Sequence, residues 1–347
     1  MKRATVLLAA VAVVAWAGAA YSDVCNFNVP SGAWVVDSNW DTHAPDADDT
    51  AYISGDRTAT IGPGESAVCD KLYLGDGGWD ETSGNLIITG GSLTTSTNES
   101  YLGYHSHKAT ITQDGGTVVF GGRVRTAICN DETLPFTYNL NDGSLTIASL
   151  RNGGFNGGPN SRTYFNQTGG SADIGSIEHG HGNLYLNISG GTFASRAIRM
   201  NGSGSVLHVI GSDADIHLYG YWHSVWGNRL IIAGTMKFDI NAAGDDVTDI
   251  TMNDQSYDND KAVFEAGSIL DMDLLGAAPA PGTEFLLITA PDGIVDNGLT
   301  LSPEDVGTWE IVMTETTLSA KYIPEPATLV LLGIGGISVL IRRQRRE

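Results

Sequence analysis

Two His-x-His pairs, His105/His107 and His179/His181, are the first residues of this 347-residue chain whose types and spacing suggest chemistry. On an extended strand, residues i and i+2 share a face, so each pair could offer two imidazoles to one metal ion if a third ligand, such as Glu178, joined it. An acidic run, Asp245, Asp246, Asp249, Asp254, Asp258 and Asp260, carries the oxygen ligands that calcium prefers. It lacks both the twelve-residue loop closed by Glu and the glycine–aspartate nonapeptide of calcium-binding β-rolls. Weak calcium binding is therefore the most it is expected to do, and a solvated loop is the simpler reading. Arg123, Arg125, Arg151, Arg162, Arg196 and Arg199 form a candidate stripe for an acidic polysaccharide. Tyr219, Tyr221, Trp222 and Trp226 could stack on sugar rings or fill a corner of the core. No carboxylate pair at readable spacing, Ser/His/Asp signature or cofactor loop accompanies them. No catalytic residue, metal site or cofactor is assigned, and the chain reads as non-enzymatic.

The elements that must position these residues are written as a repeat. A short strand-like run, a Gly-Gly or Asp-Gly step, Ser or Thr, and a second run recur with the second glycine at Gly91, Gly116, Gly143, Gly170 and Gly191. Weaker copies fall at Gly211, Gly234 and Gly267. The intervals of the five strong copies run from 21 to 27 residues, about one turn of a β-solenoid. Glycine supplies the corners, where φ turns positive or the backbone bends sharply. Alternation within a run, as in Tyr138-Asn139-Leu140-Asn141, sends one set of side chains inward and the other outward. A single coil cannot bury its own core, but stacked coils share one. The expected fold is all-β, a parallel β-helix over residues 76–275, with an antiparallel sandwich as the alternative. A third strand between glycine steps is expected at 123–128 and 194–199. The two His pairs then occupy similar solvent-exposed corners three coils apart, about 14 Å at ~4.8 Å per coil, too far for one zinc ion with ~2.1 Å bonds.

A solenoid needs caps. Residues 23–75, with Trp34, Trp40, Pro45, Asp48, Ala51 and Ile53, resemble the N-terminal module of exported β-helical surface proteins, whose tryptophans pack over the first coil. Residues 276–323 read as antiparallel strands, 285–288, 309–312 and 317–322, separated by Pro-Asp-Gly and Asp-Asn-Gly turns. This layout resembles autotransporter passengers, without an outer-membrane barrel sequence behind it. Cys25, Cys69 and Cys129 are too few for a disulfide scaffold; Cys25–Cys69 is the favoured pairing, without proof from the sequence.

Both termini read as targeting segments. Lys2 and Arg3, an apolar run over 6–16 and Ala17-Gly18-Ala19-Ala20 make residues 1–22 a signal peptide. Residues 324–347 hold Pro324-Glu325-Pro326, an uncharged run over 327–341 and the cluster Arg342, Arg343, Arg345 and Arg346. The arginines act as a membrane stop on the cytoplasmic side and leave the preceding chain outside. The run makes a short transmembrane helix of about 22 Å at ~1.5 Å per residue, against a hydrocarbon core of ~30 Å. The tripartite order resembles the PEP-CTERM sorting signal of bacterial envelope proteins. That resemblance implies an exosortase-type membrane protease as partner and delivery to the cell surface or an extracellular matrix, as a membrane-anchored or released protein. Setting aside the two basic residues of the leader and the four tail arginines leaves 13 of the 19 Lys and Arg. Setting aside Glu325 and Glu347 leaves 38 of the 40 Asp and Glu, so the exposed part carries −25. Such a surface excludes nucleic acid as a partner. The expected role is structural or adhesive, with extracellular polysaccharide as a second partner. The alternatives are a carbohydrate-active enzyme on the same scaffold and a polysaccharide- or calcium-binding module.

Overall fold

A computed structural model describes residues 22–76, 83–104, 107–128, 131–153, 160–180, 182–200, 204–210, 214–218, 228–241, 249–252 and 261–323. The expected leader up to residue 21 and the tail from Pro324 lie outside the described residues. Within them the chain is all-β, apart from a 3-10 turn at Asp37–Asn39. No described helix is long and apolar enough to cross a membrane.

The strands wind as a coil. Arg162–Gln167, Ser171–Ile174 and Ile177–His179 follow one another along the chain. Each then pairs in parallel with its counterpart one coil later, Asn183–Ile188, Gly191–Ser195 and Ile198–Met200. The resulting sheet has three faces: a first through Ile177–His179, a second through Arg162–Gln167 and a third through Ser171–Ile174. Parallel pairing in sequence order rules out the antiparallel sandwich for these strands, since a sandwich built of hairpins pairs its neighbours antiparallel. The parallel stack also outruns the expected 76–275. It starts at Val24–Asn26 on Thr50–Ile53 and ends where Ile269–Leu275 meets Thr300–Leu301. The segment 23–75 is therefore itself coiled. Trp34 and Trp40 are buried there, edge-to-face at 5.0 Å, with Phe27 against Trp40 at 5.1 Å. At the other end the expected antiparallel strands are present, Thr317–Tyr322 pairing with both Glu284–Thr289 and Trp309–Met313.

The five strong glycine copies form one column at the corner between the second and third faces. The residues after them stack in order: Ser92 on Thr117, Thr117 on Ser144, Ser144 on Ser171 and Ser171 on Thr192. Two of these glycines show why no other residue serves. Gly116 has φ +75° and Gly143 φ +90°. A Cβ on Gly116 would lie 2.0 Å from the Gly91 carbonyl oxygen, and one on Gly143 would lie 2.4 Å from that of Gly116. The weaker copies at Gly234 and Gly267 belong elsewhere. They follow first-face strands, Asn228–Ile232 and Lys261–Phe264, and precede second-face strands, so they sit at the corner between the first and second faces. A glycine-then-hydroxyl phrase marks any sharp corner, and the phrase alone does not say which one. Gly211 lies outside the described residues. Of the two expected third strands, 123–126 pairs with 149–152 on the first face, whereas 194–199 straddles a corner: Ala194 and Ser195 end a third-face strand, and Ile198 begins a first-face one.

Inside, the alternation predicted from runs such as 138–141 holds. Arg162–Gln167 and Asn183–Ile188 alternate strictly between half-buried and buried residues. One inward row on the second face reads Leu86, Ile111, Tyr138, Phe165, Leu186, Leu207, Met236 and Leu270. Beside it at the glycine corner, two glutamines interrupt an apolar row, with Leu140 between them. Gln113 and Gln167, both fully buried, donate from Nε2 across the coils to the Ser144 and Thr192 carbonyls, each at 3.0 Å. The Tyr138 hydroxyl donates to Gln113 Oε1 at 2.6 Å. Replacing Tyr138 by Phe keeps the ring and leaves that oxygen buried without its donor. It is expected to cost about 1–3 kcal/mol in chemical denaturation, whereas Tyr164→Phe, on the outward row, should stay within about 0.5 kcal/mol.

Candidate functional site

The outward rows carry whatever meets the surroundings, and the first face carries one row that combines aromatic and charged side chains. Asn26, Tyr52, Tyr73, Tyr101, Arg125, Arg151 and Glu178 follow one another in register along it. The three tyrosines stack ring on ring, at 4.5 Å and 9° for Tyr52–Tyr73 and 4.9 Å and 15° for Tyr73–Tyr101. Parallel strands in register impose this, because the ~4.8 Å coil spacing is itself a stacking distance. Burial, then the neighbouring Tyr73, pushes the Tyr52 phenol up to about 12. Burial and then the hydrogen bond to Glu99 do the same to Tyr101.

Above the tyrosines lies an ion-paired patch. Arg125 grips Glu99 with two nitrogens, Nε at 2.8 Å and Nη2 at 2.9 Å. Arg123 reaches Glu99 at 3.3 Å and Glu178 at 4.0 Å. The Arg125 hydrogen bond holds the Glu99 carboxyl below the usual carboxylate range and raises the Arg125 guanidinium in turn. A general acid or base works best with a pKa near the operating pH. Glu99 is tuned the opposite way, downward, by the arginines it fixes.

The expected arginine stripe is thus only partly assembled. Arg123, Arg125, Arg151 and Arg199 share the outer side of the first face, Arg199 on the strand next after that of Glu178. Arg162 stands on the second face, ion-paired to Glu132, and Arg196 follows the third-face strand that ends at Ser195. The six residues occur on neighbouring coils, but three faces per coil separate residues that the linear spacing had grouped. The second face carries a different row, in which Asn187 donates to Asn166 at 2.8 Å and Asn166 to Asn139 at 2.9 Å. Beside it Tyr164 stacks on Tyr185 at 4.6 Å. On the third face hydroxyls pair across coils, Ser66 with Ser92 at 3.0 Å and Ser144 with Thr117 at 3.2 Å.

Several expected sites meet the structure only in part. His107 is buried at 2 % exposure, not solvent-exposed, because it enters the corner directly before the strand that begins at Ala109. His105, His181 and the His179 side chain lie outside the described residues. So do Tyr219, Tyr221, Trp222, Trp226, Asp245, Asp246, Asp254, Asp258, Asp260 and Cys129. Asp249 is described, and its carboxylate accepts the Thr251 hydroxyl at 3.2 Å. Cys25 and Cys69 are buried free thiols and not the expected disulfide. They occupy inward positions on different faces, Cys25 on the first and Cys69 on the third.

A grouping that the linear sequence did not suggest surrounds Cys25. Its Sγ, a ring nitrogen of His43 and a carboxylate oxygen of Asp49 all lie within 4.8 Å of one another. His43 Nε2 is 3.0 Å from Asp49 Oδ2, and the Thr42 hydroxyl donates to Cys25 Sγ at 3.1 Å. Burial alone would raise the Asp49 carboxyl. The Asp46 and Asp23 amides and the His43 ring outweigh it and hold Asp49 below the usual range. Burial raises the Cys25 thiol, against the Thr42 hydrogen bond. The intervals of 18 and 6 residues match no metal-ligand motif, and only the return of the chain beside its first strand joins the three. The sequence held no signal for them beyond the presence of the residue types.

No curated protein matches the chain. Residues 323–346 match the PEP-CTERM protein-sorting motif, which contains Pro324, Glu325, Pro326 and the arginines Arg342, Arg343, Arg345 and Arg346. The motif marks the chain as an exported protein that an exosortase, a membrane protease, sorts in the cell envelope.

Proposed function

We infer that the protein is a non-enzymatic parallel β-helix of the bacterial surface or extracellular matrix, with a structural or adhesive role. One observation carries this reading: on all three faces the outward rows hold ladders in which like side chains pair from coil to coil. Stacked tyrosines, the Asn139–Asn166–Asn187 amide chain and the Ser and Thr pairs give each face a stretch of regular polar surface, two or three coils long. Such faces suit lateral contact with an extended polymer or a neighbouring rod, and export to the cell envelope through the sorting motif supports that reading. A polysaccharide-degrading enzyme is the second reading, favoured by the arginines on the first face with Glu99 and Glu178 among them. The ion pairs that depress Glu99 speak against it.

Incubating residues 23–323 with a panel of acidic and neutral polysaccharides separates the two. The structural reading expects no new reducing ends and no unsaturated products. Product release that Glu99→Gln or Glu178→Gln abolishes would replace it with the enzyme. The sorting half of the reading expects that the mature protein from its host, examined by mass spectrometry, lacks residues 342–347. Their persistence would make the tail a permanent anchor instead.

A further inference from the structure

We propose that Cys25, His43 and Asp49 form a divalent-metal site of zinc type, which pins the 34–49 segment onto the first strand and leaves one coordination position open. The three residues arrive from separate places. Cys25 is the middle residue of Val24–Asn26, His43 lies in the segment carrying Trp34 and Trp40, and Asp49 immediately precedes Thr50–Ile53. They offer one sulfur, one imidazole nitrogen and one carboxylate oxygen, donors that zinc accepts together.

The geometry points to a cation in several ways. The ligand atoms already lie within 4.8 Å of one another. Tetrahedral zinc with bonds of ~2.0–2.3 Å sets its ligands roughly 3.5 Å apart, so no pair of ligand atoms has to close by more than about 1.3 Å. His43 and Asp49 stand at 3.0 Å, closer than that spacing, and would part slightly as a metal came between them. Asp49 is 1 % exposed, and its ion pair among the described residues is with His43, a cation only when protonated. A buried carboxylate is stable when paired or metal-bound. The supporting shell is in place as well. The Asp23 amide donates to Asp49 Oδ1 at 2.8 Å and the Asp46 amide to Oδ2 at 3.0 Å, while Thr42 orients the Cys25 sulfur. Such outer contacts fix the direction of the ligands. His43, with 39 % of its side chain exposed, gives the ion a path from solvent. On binding, Cys25 enters as thiolate and its proton passes to water.

The site stands apart from the outward rows, so it holds or fails separately from the structural reading. The test uses the whole protein, purified in mild detergent, stripped with chelator and dialysed against micromolar Zn²⁺ or Co²⁺. The expected result is one metal per chain and, with Co²⁺, a thiolate charge-transfer band together with the intense visible bands of a tetrahedral ion. Cys25→Ser should abolish the charge-transfer band. His43→Gln, at a half-exposed position that should not disturb folding, should weaken binding at least tenfold. Thr42→Val, one contact removed, should weaken it by roughly tenfold. Zinc should also raise the thermal midpoint of the wild type and not that of His43→Gln. Three outcomes would overturn the proposal. One is no stoichiometric uptake by the wild type. Another is uptake that His43→Gln and Cys25→Ser leave unchanged, which would place the metal on other histidines. The third is a thiol count showing Cys25 held in a disulfide in the exported protein.

Discussion

Gly116→Ala is expected to destabilise the coil by more than about 4 kcal/mol, while Gly64→Ala, also at a positive φ, costs only about 1–2 kcal/mol. The two glycines have nearly the same backbone, φ +75° at Gly116 and +78° at Gly64. An alanine pays the left-handed penalty of roughly 1–2 kcal/mol at either. They differ in what the new methyl meets. At Gly64 nothing lies within 4 Å. At Gly116 the Cβ falls 2.0 Å from the Gly91 oxygen, 2.8 Å from the Gly90 carbonyl carbon and 2.9 Å from the Gly91 nitrogen, all backbone atoms of the coil beneath. Nothing flexible is there to move aside. Coil spacing of ~4.8 Å is fixed by hydrogen bonds along every face, so opening this corner strains the ladders on both sides, at about 1 kcal/mol per bond lost. Losses beyond about 4 kcal/mol belong to disruptions of this kind. Stacked repeats can unfold in part, so the denaturation midpoint should be read together with amide exchange over 109–128. Equal effects of the two substitutions, within about 1 kcal/mol, would show that the corner column is not packed as described.

That column is legible in the sequence, and the reason is physical. A glycine whose Cβ would strike the coil below cannot be replaced, so it recurs at the interval of the coil. Gly116, Gly143, Gly170 and Gly191 print the period directly into the sequence. The inward alternation was legible for a similar reason, since residues such as Tyr138 and Leu140 must share one side. Two things were hidden. The same glycine phrase serves two corners, so Gly234 and Gly267 carried no mark of which face followed. The faces themselves were hidden too, because residues that coincide in space are a full coil apart in sequence. Arg125, Arg151 and Glu178 share a row through register alone, while Arg162, only eleven residues after Arg151, stands on another face. The grouping of Cys25, His43 and Asp49 was hidden more deeply. It has no period, and it depends on an irregular segment whose path the tryptophans set.

Phe165→Ala is expected to cost about 3–5 kcal/mol, and its outward neighbour Tyr164→Ala about 1 kcal/mol. Phe165 is 2 % exposed and sits mid-row between Tyr138 and Leu186. Its ring centroid lies 5.7 Å from that of Tyr138 and 5.9 Å from that of Phe193, which faces it edge-on from the third face. It therefore joins coils along the axis and faces across the interior. Truncation removes both aromatic contacts, each worth about 0.5–1.5 kcal/mol beyond its buried area. It also leaves a cavity whose walls cannot close, because strands on every side are held in register. Phe165→Leu should recover most of the loss, leaving about 1–1.5 kcal/mol. Tyr164 stacks on Tyr185 at 4.6 Å but is only half-buried, and it supports no interior wall. Denaturation of the three variants measures how completely the inward row bears the stability. If Tyr164→Ala costs as much as Phe165→Ala, the outward rows are structural too. If the expected order holds, the polar ladders can be replaced with little loss of fold, and their composition is free to answer to what the protein touches outside the cell.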